Sequence, residues 1–410
     1  MAAISLTPGL GRVRAARLAD SLAVAVAISL PWSTSATGIL LALWLTALVP
    51  TLDWSLVRRE VLTPAGGLPL ALVLLGAAGM LWADVSWAAR WDGLVSFLKL
   101  ATIPLFFAQY CRSERGLDVF AAYLAACVLL LLASFALVLW PGLPHTSPDF
   151  GVAVKNAPAQ SGEFAICIGG LIYLVHRAVA EGRWIIAGGW IVLMLALLAD
   201  IVFVATGRTA LVMIFVLLAV YAATGLSKRG VMVMSIMAVI LASIAWLTSP
   251  YLRARVEQIW TDAQIYEQTD ARTSSGERIE FAKKSIAFIA SAPVLGNGTG
   301  SIHALFEKAA AGHTGTQGVA STNPHNQTLA VGIQLGLVGI AVLWAMWLAH
   351  LVMFRAPGLV AWIGLLVVVQ NVVGSVFNSH LFDFVQGWTY AVGVGVAGGM
   401  VLRAQRGKSA

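Results

Sequence analysis

Charge is scarce in this chain: Asp, Glu, Lys and Arg make up 11% of its 410 residues, against 59% hydrophobic. With a mean hydropathy of +0.84, that scarcity excludes a soluble globule and, with many apolar runs near the length of a bilayer span, indicates a polytopic membrane protein. Cysteine is scarcer still. Cys111, Cys127 and Cys167 lie at or within apolar runs and lack metal-ligand spacing, so they are packing residues. Carboxylates that could hold a divalent metal are scarce on the face opposite the termini: Asp84, Asp92, Asp149, Asp262, Asp270 and Asp383 are scattered, with no D-x-D pair. Neither a catalytic metal nor another cofactor is expected. The net charge of +7 would suggest nucleic acid in a soluble protein, but here the excess of cations at one membrane face explains it, and no nucleic-acid partner is expected.

What the chain has is apolar runs, and twelve read as spans: about 18–32, 35–50, 67–83, 94–111, 117–140, 162–179, 184–205, 209–226, 230–249, 326–352, 359–377 and 386–403. The fold class expected is all-α and integral to the membrane. Arg12, Arg14 and Arg17 ahead of Leu18–Leu30 imitate a signal peptide, but the many spans that follow favour an uncleaved first helix. An even number of spans puts both termini on one side. Fifteen Lys and Arg fall on that side, against Arg90, Lys99, Lys155 and Arg208 opposite, which places the termini in the cytoplasm.

One connection differs from the rest. Residues 250–325 form a long polar segment between the ninth and tenth spans, dividing the chain into 1–249, 250–325 and 326–410. Its helical patterns run Leu252–Gln268, Gly276–Ala290 and Ser301–Ala311, the second with an apolar stripe suited to the membrane surface. A connection of this length is usually functional.

That segment ends in Ser321-Thr322-Asn323-Pro324-His325-Asn326-Gln327-Thr328, where an aqueous loop enters a membrane helix. Pro324 suits a first helical turn and Thr322 or Asn323 can cap it, which predicts His325 in the opening turn. Gly332, Gly336 and Gly339 fall at i, i+4 and i+7, a stripe that predicts a closely packed neighbouring helix. His325 then reads either as a reactive imidazole on a rigid post or as an interfacial capping histidine.

Arg208, in Thr206-Gly207-Arg208-Thr209, sits between two apolar spans with almost nothing separating them. At that depth it either meets an anion or snorkels to phospholipid headgroups. Arg278 lies on the same side of the membrane. Guanidinium forks suit phosphate oxygens, so a pyrophosphate leaving group would be neutralised there. An acceptor hydroxyl needs a base near neutrality, and histidine beside arginines supplies one.

Other signals carry less. Gly393-Val394-Gly395-Val396-Ala397-Gly398 spells a dinucleotide fingerprint, but inside an apolar span it is helix packing. His145, His303, His313 and His380 read as solvated loop or interfacial residues. Trp82, Trp87 and Trp91 form an interfacial belt or a platform for sugar rings.

At these residues the chain resembles the bacterial O-antigen ligases, within the O-antigen ligase/polymerase superfamily. Ligases of that family show H-[N/S/Q]-x9-G-x-x-[G/T/Y], and His325-Asn326, nine residues, then Gly336-Leu337-Val338-Gly339 match it. Gly207-Arg208-Thr209-Ala210 and Arg278 to Gly300, with its P-x-x-G-x-G-x-G, also look like family motifs; the likeness covers roughly residues 190–345. The resemblance implies an integral-membrane glycosyltransferase, GT-C-like, of the bacterial inner membrane with a periplasmic site. Its donor would be undecaprenyl-pyrophosphate-linked O-antigen and its acceptor lipid A-core, within membrane lipid. His325 would be the base, Arg208 and Arg278 the pyrophosphate grip, with Asn326, Gly336 and Gly339 in support. Transfer would be direct and inverting, without metal. No carboxylate adjoins His325 in sequence, so a partner such as Asp383 or a backbone carbonyl would have to come through the fold.

The rivals are a polymerase of the same superfamily and a lipid-linked protein O-oligosaccharyltransferase, which tends to carry an extra C-terminal region. A secondary transporter is the reading from another class. Against it stand the position of the long loop, the lack of an internal repeat, and charges within spans limited to Lys99 and Asp200.

Overall fold

The computed structural model describes residues 10–409, and among them the chain is helical without strands. The first part runs α1 (Leu10–Ser29), α2 (Thr34–Leu48), α3 (Trp54–Val61), α4 (Pro64–Gly79), α5 (Trp87–Leu98), α6 (Thr102–Tyr110), α7 (Gly116–Leu139), α8 (Ala157–Ala180) and α9 (Trp184–Phe203). It continues with α10 (Arg208–Gly225), α11 (Lys228–Thr248), α12 (Pro250–Thr269), α13 (Ser274–Ser291) and α14 (Ile302–Ala310). The last helices are α15 (Gln327–Met353), α16 (Leu359–Phe377) and α17 (Phe384–Ser409). The protein is an all-α integral membrane protein.

Among the described residues, ten stretches are long and apolar enough to cross a bilayer, with α5 and α6 forming one of them, Trp87–Tyr110. Helices α3 and α4 meet at 84° and make an eleventh if taken as one span. The sequence predicts twelve. The shortfall has a local cause: α1 carries Arg12, Arg14, Arg17 and Asp20 in its first eleven residues, leaving too short an apolar remainder. Helix α4 alone has only 16 residues.

Small residues let the bundle close. On α17, a Cβ at Gly393 would fall 2.9 Å from Val367, and one at Gly395 2.5 Å from Phe106. The fingerprint-like glycines are therefore contact points between helices. Three of the long connection's helices, α12, α13 and α14, occupy the segments where the sequence shows helical pattern.

The stripe on α15 turns out differently. Gly336 has φ 62° and ψ −159° inside the helix, a conformation essentially confined to glycine. The helix breaks there, and the loop after α13 fills the break. Leu337 N donates to Pro293 O at 2.8 Å and Val338 N to Val294 O at 3.2 Å. In return Asn297 N donates to Ile333 O (2.8 Å) and Gly298 N to Gln334 O (2.9 Å). A buried backbone group without a partner is costly, above all in a membrane. The loop removes that cost and takes the place expected for a neighbouring helix at Gly336. Gly298, at φ 90°, passes so close to Ala83 that only hydrogen fits. Thr299 then anchors to α4, its N to Gly79 O at 3.0 Å and its Oγ1 to Gly76 O at 2.6 Å. The result is a rigid block of α4, α5, α15 and the 293–301 loop at the end of α15 that carries His325.

Candidate active site

His325 is not in the opening turn of α15. Asn326 caps that helix, its side chain accepting from Leu329 N at 3.0 Å. Neither Thr322 nor Asn323 fills that role, and Pro324 and His325 precede the cap. His325 itself has φ 55°, a left-handed backbone unusual for a side chain of its size. Asn323 holds it there: its Oδ1 accepts from His325 N at 2.8 Å and from Ser379 Oγ at 2.7 Å. Asn326 Nδ2 also donates to Val376 O at 3.2 Å, tying this corner to the end of α16.

The ring is held from two directions. Phe281 of α13 stacks on it, with centroids 6.1 Å apart and planes 18° off parallel. Its Nδ1 lies 3.0 Å from Asn378 Oδ1. Asn378 Nδ2 donates to Asp383 Oδ2 at 2.6 Å, which fixes the amide with its oxygen toward the histidine. Asn378 Oδ1 also accepts from Asn323 Nδ2 at 2.9 Å. A carbonyl oxygen can only accept, so Nδ1 carries the proton and Nε2 keeps its lone pair.

The Asn378–Asp383 turn is itself braced. Lys99 Nζ donates to the carbonyls of Leu381, Phe382 and Asp383 at 2.8, 3.1 and 2.9 Å. Gln327 Oε1 accepts from Leu381 N at 2.9 Å. His380, expected to be solvated, is buried with its ring pressed on Gly374. Burial pushes it down to about 4, so it packs as a neutral ring.

The two arginines converge on this place. Arg208 is the first residue of α10, set after a turn in which Val204 N and Ala205 N both donate to Asp200 O. A Cβ at Gly207 would collide with the Ser161 hydroxyl, so glycine lets the turn seat against α8. Arg278 stands one helical turn before Phe281 on α13. Partial burial, and after it the charge of Arg208, pulls Arg278 below the ordinary arginine value. Among the described residues neither guanidinium has a hydrogen-bond or carboxylate partner. Two like charges held together without a counterion among the described residues are suited to an anion.

Arg278 also acts on His325. Burial lowers the histidine pKa first; the Asn378 bond opposes it, Arg278 adds to the lowering, and Glu277 opposes. At neutral pH the ring is neutral, as a base requires. Asp383 is raised to about 6 by burial, against the pull of Lys99, and remains ionised at neutral pH. Among the described residues no three His, Cys, Asp or Glu side chains gather in a metal-holding group.

His325, Arg208 and Arg278 therefore come together from three separate parts of the chain. Gly336 and Gly339 do not touch the ring; they shape the break behind it. Sequence reasoning missed Asn378 and Phe281, and it offered Asn323 as a helix cap and not as the residue that holds the His325 backbone. The only available signal was the polar run Asn378-Ser379-His380 between two apolar spans. Asp383, named as a possible partner, acts through Asn378.

No curated protein matches the chain in sequence. Residues 192–344 match the family described as O-Antigen ligase. That segment holds Arg208, Arg278, His325, Gly336 and Gly339 and stops short of Asn378 and Asp383. On this match that segment, rather less than half of the chain, is similar to the O-antigen ligase family.

Proposed function

We propose that the protein is an O-antigen ligase that moves a glycan from undecaprenyl pyrophosphate to a sugar hydroxyl of lipid A-core. The observation that carries this reading is an imidazole oriented through Nδ1, its pKa lowered by burial, beside two arginines that have no partner among the described residues. His325 Nε2 takes the proton of the acceptor hydroxyl as its oxygen attacks the anomeric carbon. The bond from that carbon to the pyrophosphate oxygen breaks, and undecaprenyl pyrophosphate leaves with the electron pair. Direct attack inverts the anomeric centre. Arg208 and Arg278 neutralise the charge that grows on the leaving group, in the role an electrostatic clamp fills in other phosphate chemistry. No step calls for a metal or nucleotide sugar.

The charge bias of the sequence supports cytoplasmic termini and a periplasmic site in the inner membrane. His325-Asn326-x9-Gly336-x-x-Gly339 favours ligation over polymerisation. The arginines and the large loop do not separate the two. Deleting the gene distinguishes them. Loss of a ligase leaves polymer on the lipid carrier and bare lipid A-core outside; that is the expected result. Lipid A-core capped with a single repeat unit would instead identify a polymerase.

A further inference from the structure

A pocket of about 460 Å³ opens against the His325 corner, bordered by Asn323, Pro324 and Asp383. It is within the size range of small-ligand sites. Helix α5 contributes Asp92 and Ser96, α14 contributes His303, and the loop before His325 contributes Thr322. Among the described residues these four side chains have no hydrogen-bond or ion-pair partner. Asp383 is half used: Oδ2 takes the Asn378 amide, and Oδ1 has no partner among the described residues. Deeper in, Gln334 and Ser379 are committed to internal bonds, Gln334 Oε1 to Gly300 N at 2.8 Å. Ile302, Ala330 and Phe382 give the pocket an apolar wall, part of the same cluster that holds Phe281 against the histidine.

The charge of this pocket opposes that of the arginine pair. Two carboxylates line it and no lysine or arginine does. Lys99 is near, but its ammonium is buried and taken up by three carbonyls. A phosphate or carboxylate would be repelled here. A polyhydroxylated ring would not, because carboxylates accept strongly from hydroxyls while an apolar wall suits its C–H face. Trp87 and Trp91 are not part of the arrangement: α5 turns residues 89, 92, 93 and 96 to the pocket, and at 3.6 residues per turn positions 87 and 91 face away.

We propose that this pocket is the acceptor-sugar subsite. It takes a neutral pyranose, free of phosphate and carboxylate, with hydroxyls on Asp92 and Asp383 and its ring against Phe382, next to the Asn323-Pro324 corner that leads into His325. The inference rests on the transfer chemistry proposed above. It adds which wall holds the acceptor and which sugars that wall refuses. Charge thus sorts the two lipid-linked substrates, pyrophosphate to the arginines and neutral sugar to the carboxylates.

The test uses the full chain in nanodiscs, with purified lipid A-core and, in parallel, a lipid-linked repeat unit as acceptors. Binding of each is measured for wild type, Asp92→Asn and Ser96→Trp, together with binding of the polymer-bearing donor. Asp92→Asn removes one carboxylate and is expected to weaken acceptor binding by about 10–100-fold, leaving donor binding unchanged. Ser96→Trp fills the pocket and is expected to abolish acceptor binding alone. Unchanged acceptor binding in Asp92→Asn overturns the subsite, as does an equal loss of donor binding. If Ser96→Trp does not fold, Asp92→Asn decides by itself. An Asp92-dependent site for the lipid-linked repeat, with none for lipid A-core, would leave the subsite standing and remove the ligase reading.

Discussion

Asn378 Oδ1 stands 3.0 Å from Nδ1 of His325, and the same amide donates to Asp383 Oδ2 at 2.6 Å. An amide placed between imidazole and carboxylate does two things. It passes the orientation of the acid to the ring, and it keeps the ring from handing its Nδ1 proton to the carboxylate directly. The histidine stays a base whose tautomer is set by a neutral neighbour.

The first prediction concerns that amide. In Asn378→Ala the ring loses its only Nδ1 partner among the described residues and can rotate or change tautomer. Turnover is expected to fall by about 10²-fold, the scale of a small misplacement of a reacting group. Donor binding should hold, since neither arginine touches Asn378. Single-turnover rates beside donor affinity check this; a variant that turns over like wild type shows that the amide does not orient the ring.

The pH profile of transfer tests the electrostatics. His325 lies below the ordinary histidine value of 6.5, so its base form persists to lower pH than that of free imidazole. Activity should rise with pH through a limb centred below 6.5. Removing the positive charge of Arg278 makes protonation easier, so the residual activity of Arg278→Ala should show that limb at higher pH. A limb that stays in place, or moves down, would mean that Arg278 does not act on the ring.

Much of this architecture is written locally in the chain, and some is not. Apolar runs announce the spans because hydropathy needs no partner to be read. Arg208 stands out for the same reason, as a charge at the edge of two such runs. Asn378 does not, because asparagine is ordinary in a turn and its meaning comes from His325, 53 residues away. Gly336 shows a subtler limit. A glycine at i, i+4, i+7 spacing looks the same whether it admits a helix or breaks one. Only with the 293–301 loop in place do the freed donors of Leu337 and Val338 find their acceptors. His380 was misread because a turn between spans is usually wet, whereas this one is folded inward over Gly374.

The arginine pair makes a third prediction. Arg208→Lys should lose transfer nearly as fully as Arg208→Ala, because a point charge cannot replace two parallel N–H donors on a pyrophosphate. Arg278→Lys should also lose most transfer, since Phe281 and Ser285 fix α13 and a shorter reach cannot be made up by helix movement. Steady-state rates of the four substitutions, including Arg278→Ala, check this. Normal transfer by Arg208→Lys would return Arg208 to the headgroup-snorkelling reading.

The last prediction tests the break behind the site. At Gly336 an alanine must adopt φ 62°, and its Cβ would strike the Val294 carbonyl. A conformation of this kind costs about 1–3 kcal/mol for an L-residue before any collision. The collision cannot be relieved by a rotamer change, because the obstacle is backbone that accepts from Val338 N. Relief would have to come from the loop moving away, which would strip Leu337 and Val338 of their acceptors. Gly336→Ala is therefore expected to lower the melting temperature of the protein in detergent and to lose transfer, although Gly336 touches neither His325 nor either arginine. Gly188→Ala provides the contrast: it lies within α9 with nothing near its would-be Cβ. There alanine should be neutral or stabilise by up to about 1 kcal/mol, as helix propensity alone dictates. Equal melting temperatures for the two variants would show that the loop does not hold the break, and the rigid support assigned to His325 would fall with it.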